Sequence, residues 1–270
     1  MLSGSGRSAN PLVAKLLRFA SFSEEEIGVL EALCAHQERF SAGANLAEEG
    51  DPARLGFVVT RGLACRYRLL ADGRRQILTF LIPGDFFDLH GFLFRSMDHS
   101  VVTIAATRLA PITRDQVIEI AAHYPRISAA FWWSAMQENA MLRERVVTLG
   151  RRNARARVAY LLCELVWRQR AIGIHEDHSI RLPLTQVDIA DTLGLTSVHV
   201  NRVLQAFRRE GLITLIQRRL QLHDVEALQN LAGLTPDYLH LTGLPAPIGQ
   251  YLDRMERREA ANRDRTAASC

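Results

Sequence analysis

Residues Leu184–Ile213 read LTQVDIADTLGLTSVHVNRVLQAFRREGLI, two amphipathic runs on either side of a glycine. Thr185 followed by Asp188 has the form of a helix N-cap with its partner, predicting a helix to about Thr192 that stops at Gly194. Thr196 can cap a second helix, which runs to about Glu210 before Gly211 ends it. Two helices joined by a glycine turn make a helix-turn-helix. Ala190 is small where the helices would cross, and Ile189, Leu193, Leu195, Val200 and Val203 can share a core. An ordinary helical hairpin would satisfy the same spacing, but the surrounding charge favours nucleic acid.

With those positions inward, Ser197, Val198, His199, Asn201, Arg202 and Gln205 face outward on the second helix. A recognition helix presents such residues to base edges in the major groove. Arg202 can take guanine O6 and N7 together, and Asn201 or Gln205 can address adenine or phosphate. Residues 212–222, LITLIQRRLQL, read as a hairpin with Gln217, Arg218 and Arg219 near its tip. Such a wing would put Arg218 and Arg219 on phosphates, with Thr185 and Thr196 as further phosphate contacts at the helix starts.

The charge distribution agrees. Residues 1–150 carry 16 basic and 16 acidic side chains, residues 151–223 carry 12 and 6, and residues 224–270 carry 5 and 7. The whole net charge of +4 therefore arises in the segment around the helix pair, as a polyanion-binding module joined to something neutral requires. Only Lys15 among the 33 basic residues is lysine, a bias that reads as genome composition. No run approaches the ~18 apolar residues of a membrane helix, and the start, MLSGSGRSANPLV, lacks the form of a secretory signal. Cys34, Cys65, Cys163 and Cys270 form no C-x-x-C pair, which argues against a zinc ribbon or disulfide scaffold. A cytoplasmic protein with reduced thiols is expected.

Upstream, Gly50, Gly62, Gly73 and Gly84 recur every 11 or 12 residues, the turn spacing of an antiparallel sandwich or barrel. The runs 56–60, 75–82 and 100–104 are apolar and β-branched, and Ala71-Asp72-Gly73 signals a hairpin. From Pro125 to Leu149 a long helix is predicted, with Phe131, Ala135, Leu142, Val146 and Leu149 as an apolar stripe suited to a second copy of the chain. Arg151–Arg157 then marks a boundary, followed by a helix over 158–168 and a polar loop over 175–179.

In this order and length the chain resembles the cyclic-AMP receptor and fumarate–nitrate reduction regulator family of bacterial transcription factors. The resemblance covers residues 20–225, including GDFFDLHG at 84–91 over the family's phosphate-binding cassette and an ungapped match over 125–165. It implies an α+β chain in four parts: a cyclic-nucleotide-binding-like antiparallel β-roll or jelly roll with a helical lead-in (1–124), a dimerisation helix (125–150), a winged helix-turn-helix (151–225) and an extension (226–270). That extension is expected to fray beyond about Leu244, with Leu239 and Leu241 packing before it. The family also implies a homodimer on a palindromic promoter site, with RNA polymerase as a further partner.

The family's effector positions depart from the cyclic-AMP pattern. The cassette Glu, Arg and Ser stand here as Leu89, His99 and Ser100, and the adenine-facing Thr-Ser pair as Leu142 and Arg143. A ribose hydroxyl facing Leu89 loses a buried acceptor, worth about 1–3 kcal/mol, and a His replaces the fixed Arg fork. Cyclic AMP is therefore not the expected effector. With Cys34 the only N-terminal cysteine an iron–sulfur cluster is not expected either, and no His spacing singles out a haem ligand. His90 and His99 lack the H-x-H pair and downstream Glu of a cupin metal site, so a metalloenzyme is the weaker alternative. The other is a β-roll module that acts on a protein partner without DNA. Cys163 is either redox-responsive or a small core residue.

Overall fold

Two four-stranded antiparallel sheets form a β-roll in this computed structural model, which describes residues 10–52, 56–87, 94–173 and 178–241, with 243, 245, 248–254 and 257. Two helices lead in, α1 (Pro11–Leu16) and α2 (Glu24–Leu33). The strands are β1 (Glu38–Phe40), β2 (Asn45–Ala47), β3 (Gly56–Arg61), β4 (Ala64–Leu69), β5 (Arg75–Leu81), β6 (Phe86–Phe87), β7 (Ser100–Thr103) and β8 (Thr107–Ile112). One sheet has the order β1-β8-β3-β6 and the other β2-β7-β4-β5. Val59, Ala64, Leu81, Phe87, Val101 and Leu109 fill the interior between them.

The strand region ends sooner than its composition suggests. Thr113 and Gln116 form a reciprocal capping box that starts α3 (Arg114–His123), a local signal that overrides the apolar run. Pro125 then opens α4 (Pro125–Arg151), and α5 (Ala154–Ala171) follows after only two residues. The boundary is thus narrower than the arginine run at 151–157. Arg152 is extended, and the Asn153 side chain accepts from the Ala156 N–H at 3.0 Å to begin α5.

Helix α5 is buried on nearly every side because it sits between two parts of the molecule. It shares one core with Cys65, Ile77 and Phe80 of the roll and with the helix-turn-helix, whose first helix packs directly on β5. This explains why β5 reads as a continuous apolar run and not as an alternation. Gly84 has φ +88°, and a Cβ there would lie 2.6 Å from the Pro11 carbonyl oxygen. Only glycine allows that approach of α1, which brings Lys15 against Asp85.

The C-terminal part contains β9 (Ser179–Arg181), α6 (Gln186–Leu193), α7 (Ser197–Arg209), β10 (Ile213–Ile216), β11 (Arg219–Leu222) and α8 (Val225–Ala232). The predicted polar loop thus already becomes a strand at Ser179, because β9 completes a sheet of order β10-β11-β9.

The stretch from 226 is not a plain tail. Helix α8 buries Leu228 and Ala232 against α5, so the winged unit extends beyond residue 225. A 3-10 turn (Pro236–Leu239) then lies on α4. Leu239 is fully buried, and its carbonyl accepts from Gln137 Nε2 at 2.5 Å. Arg18 Nη2 donates to the Leu241 carbonyl, and Arg126 pairs with Asp253 at 2.6 Å. Leu252 is buried too, so ordered packing continues past Leu244. Residues 258–270 lie outside the described residues. Among the described residues no helix is long and apolar enough to cross a membrane.

Candidate functional site

The helix-turn-helix is held by short-range hydrogen bonds. The Thr185 N–H donates to Asp188 Oδ2 at 2.9 Å and the Asp188 N–H to Thr185 Oγ1 at 3.1 Å. Gly194, at φ +61°, caps α6 in the left-handed region that glycine adopts without strain. The Thr196 hydroxyl accepts from the His199 N–H at 3.2 Å to start α7. Ile189, Ala190, Leu193, Val200 and Val203 are buried as expected, joined by Leu204 and Phe207, while Leu195 is half-buried.

On the outer face of α7, Val198, His199, Arg202 and Gln205 are exposed. Ser197 and Asn201 are only half-buried, and the Asn201 side-chain oxygen accepts from Gln186 Nε2 at 3.2 Å. Asn201 is therefore held against α6 and is less open to a base than its neighbours. Both cap threonines are exposed, with their hydroxyl oxygens already accepting backbone N–H groups.

The wing is a two-residue hairpin. Gln217 and Arg218 both have positive φ, 48° and 61°, a conformation that favours Asn or Gly. Arg218 and Arg219 are exposed at its tip. Arg219 lies directly opposite Arg181 of β9, which is also exposed. Like charges opposite each other on a sheet destabilise it, and a phosphate near both would relieve the repulsion. Arg181 escaped the sequence reading because the pairing of β9 is non-local.

Much of the arginine excess serves the fold instead. Arg157 Nη1 donates to the Leu193 carbonyl at 2.9 Å, Arg155 pairs with Glu210 at 2.6 Å, and Arg152 pairs with Glu144 at 2.5 Å.

Helix α4 presents its apolar surface differently from the expected stripe. Phe131 is buried, its ring edge-on to Phe86 at 5.0 Å, so it belongs to its own protomer's core. Leu149 is half-buried and faces Gly194, and Ala135 is half-buried on a cavity wall. The exposed apolar side chains are Trp132, Met136, Leu142, Val146 and Val147. They span an arc of about 140° at 3.6 residues per turn. The predicted stripe was centred to one side of this arc because two of its members had partners within the chain.

Between the roll and α4–α5 lies a cavity of about 360 Å³. His99 and Leu142 line it as expected, but Ser100 and Arg143 do not. The Ser100 hydroxyl accepts from the Glu49 N–H at 3.0 Å, and Arg143 is exposed on α4. Leu89 and His90 lie outside the described residues. His99 Nδ1 sits 2.6 Å from the Asp98 carboxylate, which this contact holds below the usual aspartate range.

The cavity also exposes residues that the sequence reading passed over: Lys15, Arg66, Asp85, Glu138 and Arg168. Lys15 Nζ donates to Asp85 Oδ1 at 2.8 Å, while Asp85 Oδ2 accepts from Arg168 and from the Ile82 N–H. Burial opposes ionisation of Asp85, but the charges of Lys15 and Arg168 outweigh it and hold the carboxyl below its usual range. Burial likewise depresses the Lys15 pKa despite Asp85. Lys15, read from composition as a bias, is thus a buried ionic partner.

Cys163 is fully buried, and burial pushes its thiol up to about 12. That is the core residue of the two alternatives, not a reactive thiolate. Among the described residues no group of three His, Cys, Asp or Glu side chains is placed to hold a metal ion.

Comparison with known proteins agrees with this division of the chain. Residues 37–124 match the cyclic nucleotide-binding domain model, and residues 156–231 the Crp-like helix-turn-helix domain model. The nitrogen fixation regulation protein FixK of Bradyrhizobium diazoefficiens is 32% identical over 195 residues, 72% of this chain and 81% of that protein. The transcriptional activator protein FnrL of Cereibacter sphaeroides is 29% identical over 203 residues, 74% of this chain and 81% of that protein. The solved structure of FixK2 from Bradyrhizobium japonicum superposes with a TM-score of 0.66 at 27% identity, covering 74% of this chain and 98% of that one. A β-roll, a long helix and a winged helix-turn-helix, in that order and with these relatives, place the chain in the Crp/Fnr family of DNA-binding transcription regulators, not among enzymes.

Proposed function

We propose that the protein works in the cytoplasm as a homodimer on a palindromic promoter site, with α7 of each copy in a major groove and RNA polymerase as a further partner. The observation that carries this reading is the exposed apolar arc of α4, whose Val146 is 71% and Trp132 70% accessible. An arc of this kind on a long helix calls for a partner surface, and a second α4 fits it across a two-fold axis. The half-sites would then be centred about one helical turn apart.

Arg202→Ala is expected to weaken binding to the specific site by about 1–3 kcal/mol, through loss of a bidentate base contact. Arg218→Ala should instead weaken all sequences alike and flatten the salt dependence by about one unit of slope. Titrations on specific and random duplexes across a salt series measure both.

The family reads a G·C pair with an acidic residue four positions before the arginine, where this chain has Val198. Val198 cannot accept from cytosine N4 but can touch a thymine methyl. Random-site selection with the native protein and with Val198→Glu should yield different half-sites. An unchanged half-site would mean that Val198 does not face the bases.

This reading includes neither cyclic AMP nor an iron–sulfur cluster. The Ser100 hydroxyl already accepts a backbone N–H, and a carboxylate stands beside His99 where a cyclic phosphate would need cations. Calorimetry with cyclic AMP should show no sub-micromolar binding.

A further inference from the structure

The chain passes from α4 to α5 and the DNA-binding part through only two residues, Arg152 and Asn153. The segment after α8 touches both sides of that joint and the joint itself. Arg152 Nη2 donates to the Gly233 carbonyl at 3.2 Å, the Tyr238 hydroxyl lies 3.5 Å from a Glu164 oxygen on α5, and Gln137 of α4 donates to the Leu239 carbonyl. Arg18, just past α1, holds the Leu241 carbonyl at 3.3 Å. Leu239 and Gln137 are both buried, so lifting the segment away would strand an interior amide without its acceptor. This segment lies beyond residue 231, where the match to the helix-turn-helix model ends.

A separate contact holds the helix-turn-helix to the roll. Arg75 of β5 forks onto Asp188 at 2.7 Å and Asp191 at 2.8 Å on α6, and Gln76 Nε2 donates to the Thr192 carbonyl at 3.2 Å. Swinging the DNA-binding part about the joint would break both sets of contacts. Neither set covers a surface that DNA or a second copy needs: Val198, Arg202, Arg218 and Arg219 stay exposed, as does the apolar arc of α4.

We propose that residues 233–241 form a strap that fixes the DNA-binding part on α4 in the orientation used on DNA. Apparent affinity scales with the fraction of molecules already in the competent orientation, and the strap keeps that fraction high by contacts within the chain. The proposal rests on the reading of the protein as a dimer on palindromic DNA, and it names the element that sets the angle of each recognition helix.

Leu239→Asp in the full chain tests it, since a carboxylate cannot dock where Leu239 is buried. Gln137→Leu, which removes the donor without adding charge, is the second variant if the first does not fold. Binding is measured on the selected palindrome, on one half-site, and on a palindrome with a spacer longer by about two base pairs, which turns the half-sites off one face. The variants should lose about ten-fold or more on the palindrome and discriminate spacing less, with half-site affinity unchanged. Energy transfer between dyes at Arg39→Cys on β1 and Glu226→Cys on α8, both exposed positions, reads the orientation without DNA. Cys34, Cys65 and Cys163 are buried, so a Cys270→Ser background confines the dyes, and excess unlabelled protein leaves one labelled copy per dimer. The native chain should give one narrow distance distribution and the variants a broad one. The proposal is overturned if the distribution stays narrow, if the palindrome is bound as before, or if binding strengthens, which would mean that the strap holds an orientation DNA does not use. A native protein that shows no preference for the palindrome counts against the dimer reading, while the dye distances still test the strap.

Discussion

Val146→Glu should convert the protein to monomers at low micromolar concentration while leaving its thermal stability nearly unchanged. In the protomer Val146 is 71% exposed and touches no core cluster, so the substitution adds no strain to one copy. Across a two-fold axis, however, two carboxylates would be buried facing each other, and desolvating each costs several kcal/mol. DNA affinity should fall as well, because two linked half-site contacts gain about 10²–10⁴ in avidity that a monomer forgoes. Sedimentation velocity and DNA titration on the same preparation measure both effects. A variant that stays dimeric would move the seam elsewhere on α4. Leu142→Glu is a weaker probe of the same seam, since Leu142 also lines the cavity.

The second large effect is expected in the buried ionic cluster. Asp85→Ala leaves Lys15 and Arg168 in the interior without their shared carboxylate. Removing one partner of such a group typically costs about 3–5 kcal/mol, which for a chain of this size lowers Tm by roughly 10 °C. The pH dependence has a definite sign. The folded pKa of Asp85 is depressed, so its stabilisation is complete above the unfolded value of about 4 and is lost as pH falls through the folded value. The difference in Tm between the native and Asp85→Ala proteins should therefore be constant from pH 7 to about pH 5 and begin to narrow only below about pH 4. Equal Tm values at pH 7 would show that the cluster contributes nothing to stability.

The first prediction uses Val146, which the predicted stripe already held, whereas the second draws on an ionic cluster that the sequence reading missed, and the reason is physical. The helix-turn-helix was legible because its determinants act within a few residues: the Thr185–Asp188 box, Gly194 in the left-handed region, and the Thr196 cap. The wing and the roll followed from turn residues in the same way. On α4 the period alone gave a stripe, but it could not say that Phe86 would claim Phe131 from the roll. The neighbouring arc from Trp132 to Val147 became the free surface only once that contact was made.

The cavity lay further from view. Lys15, Asp85 and Arg168 are 70 and 83 residues apart along the chain, and no local pattern links the last turns of two helices to a tight turn between them. The docking of the segment beyond Ala232 is equally non-local, since its anchors are Gln137 and Arg126 on α4. By itself the sequence determined the order of parts and the recognition helix, because periodicity, caps and glycine turns are short-range. Tertiary structure alone decided which face of α4 is free, which arginines serve the fold and which charges share the cavity, because burial depends on what packs from elsewhere in the chain.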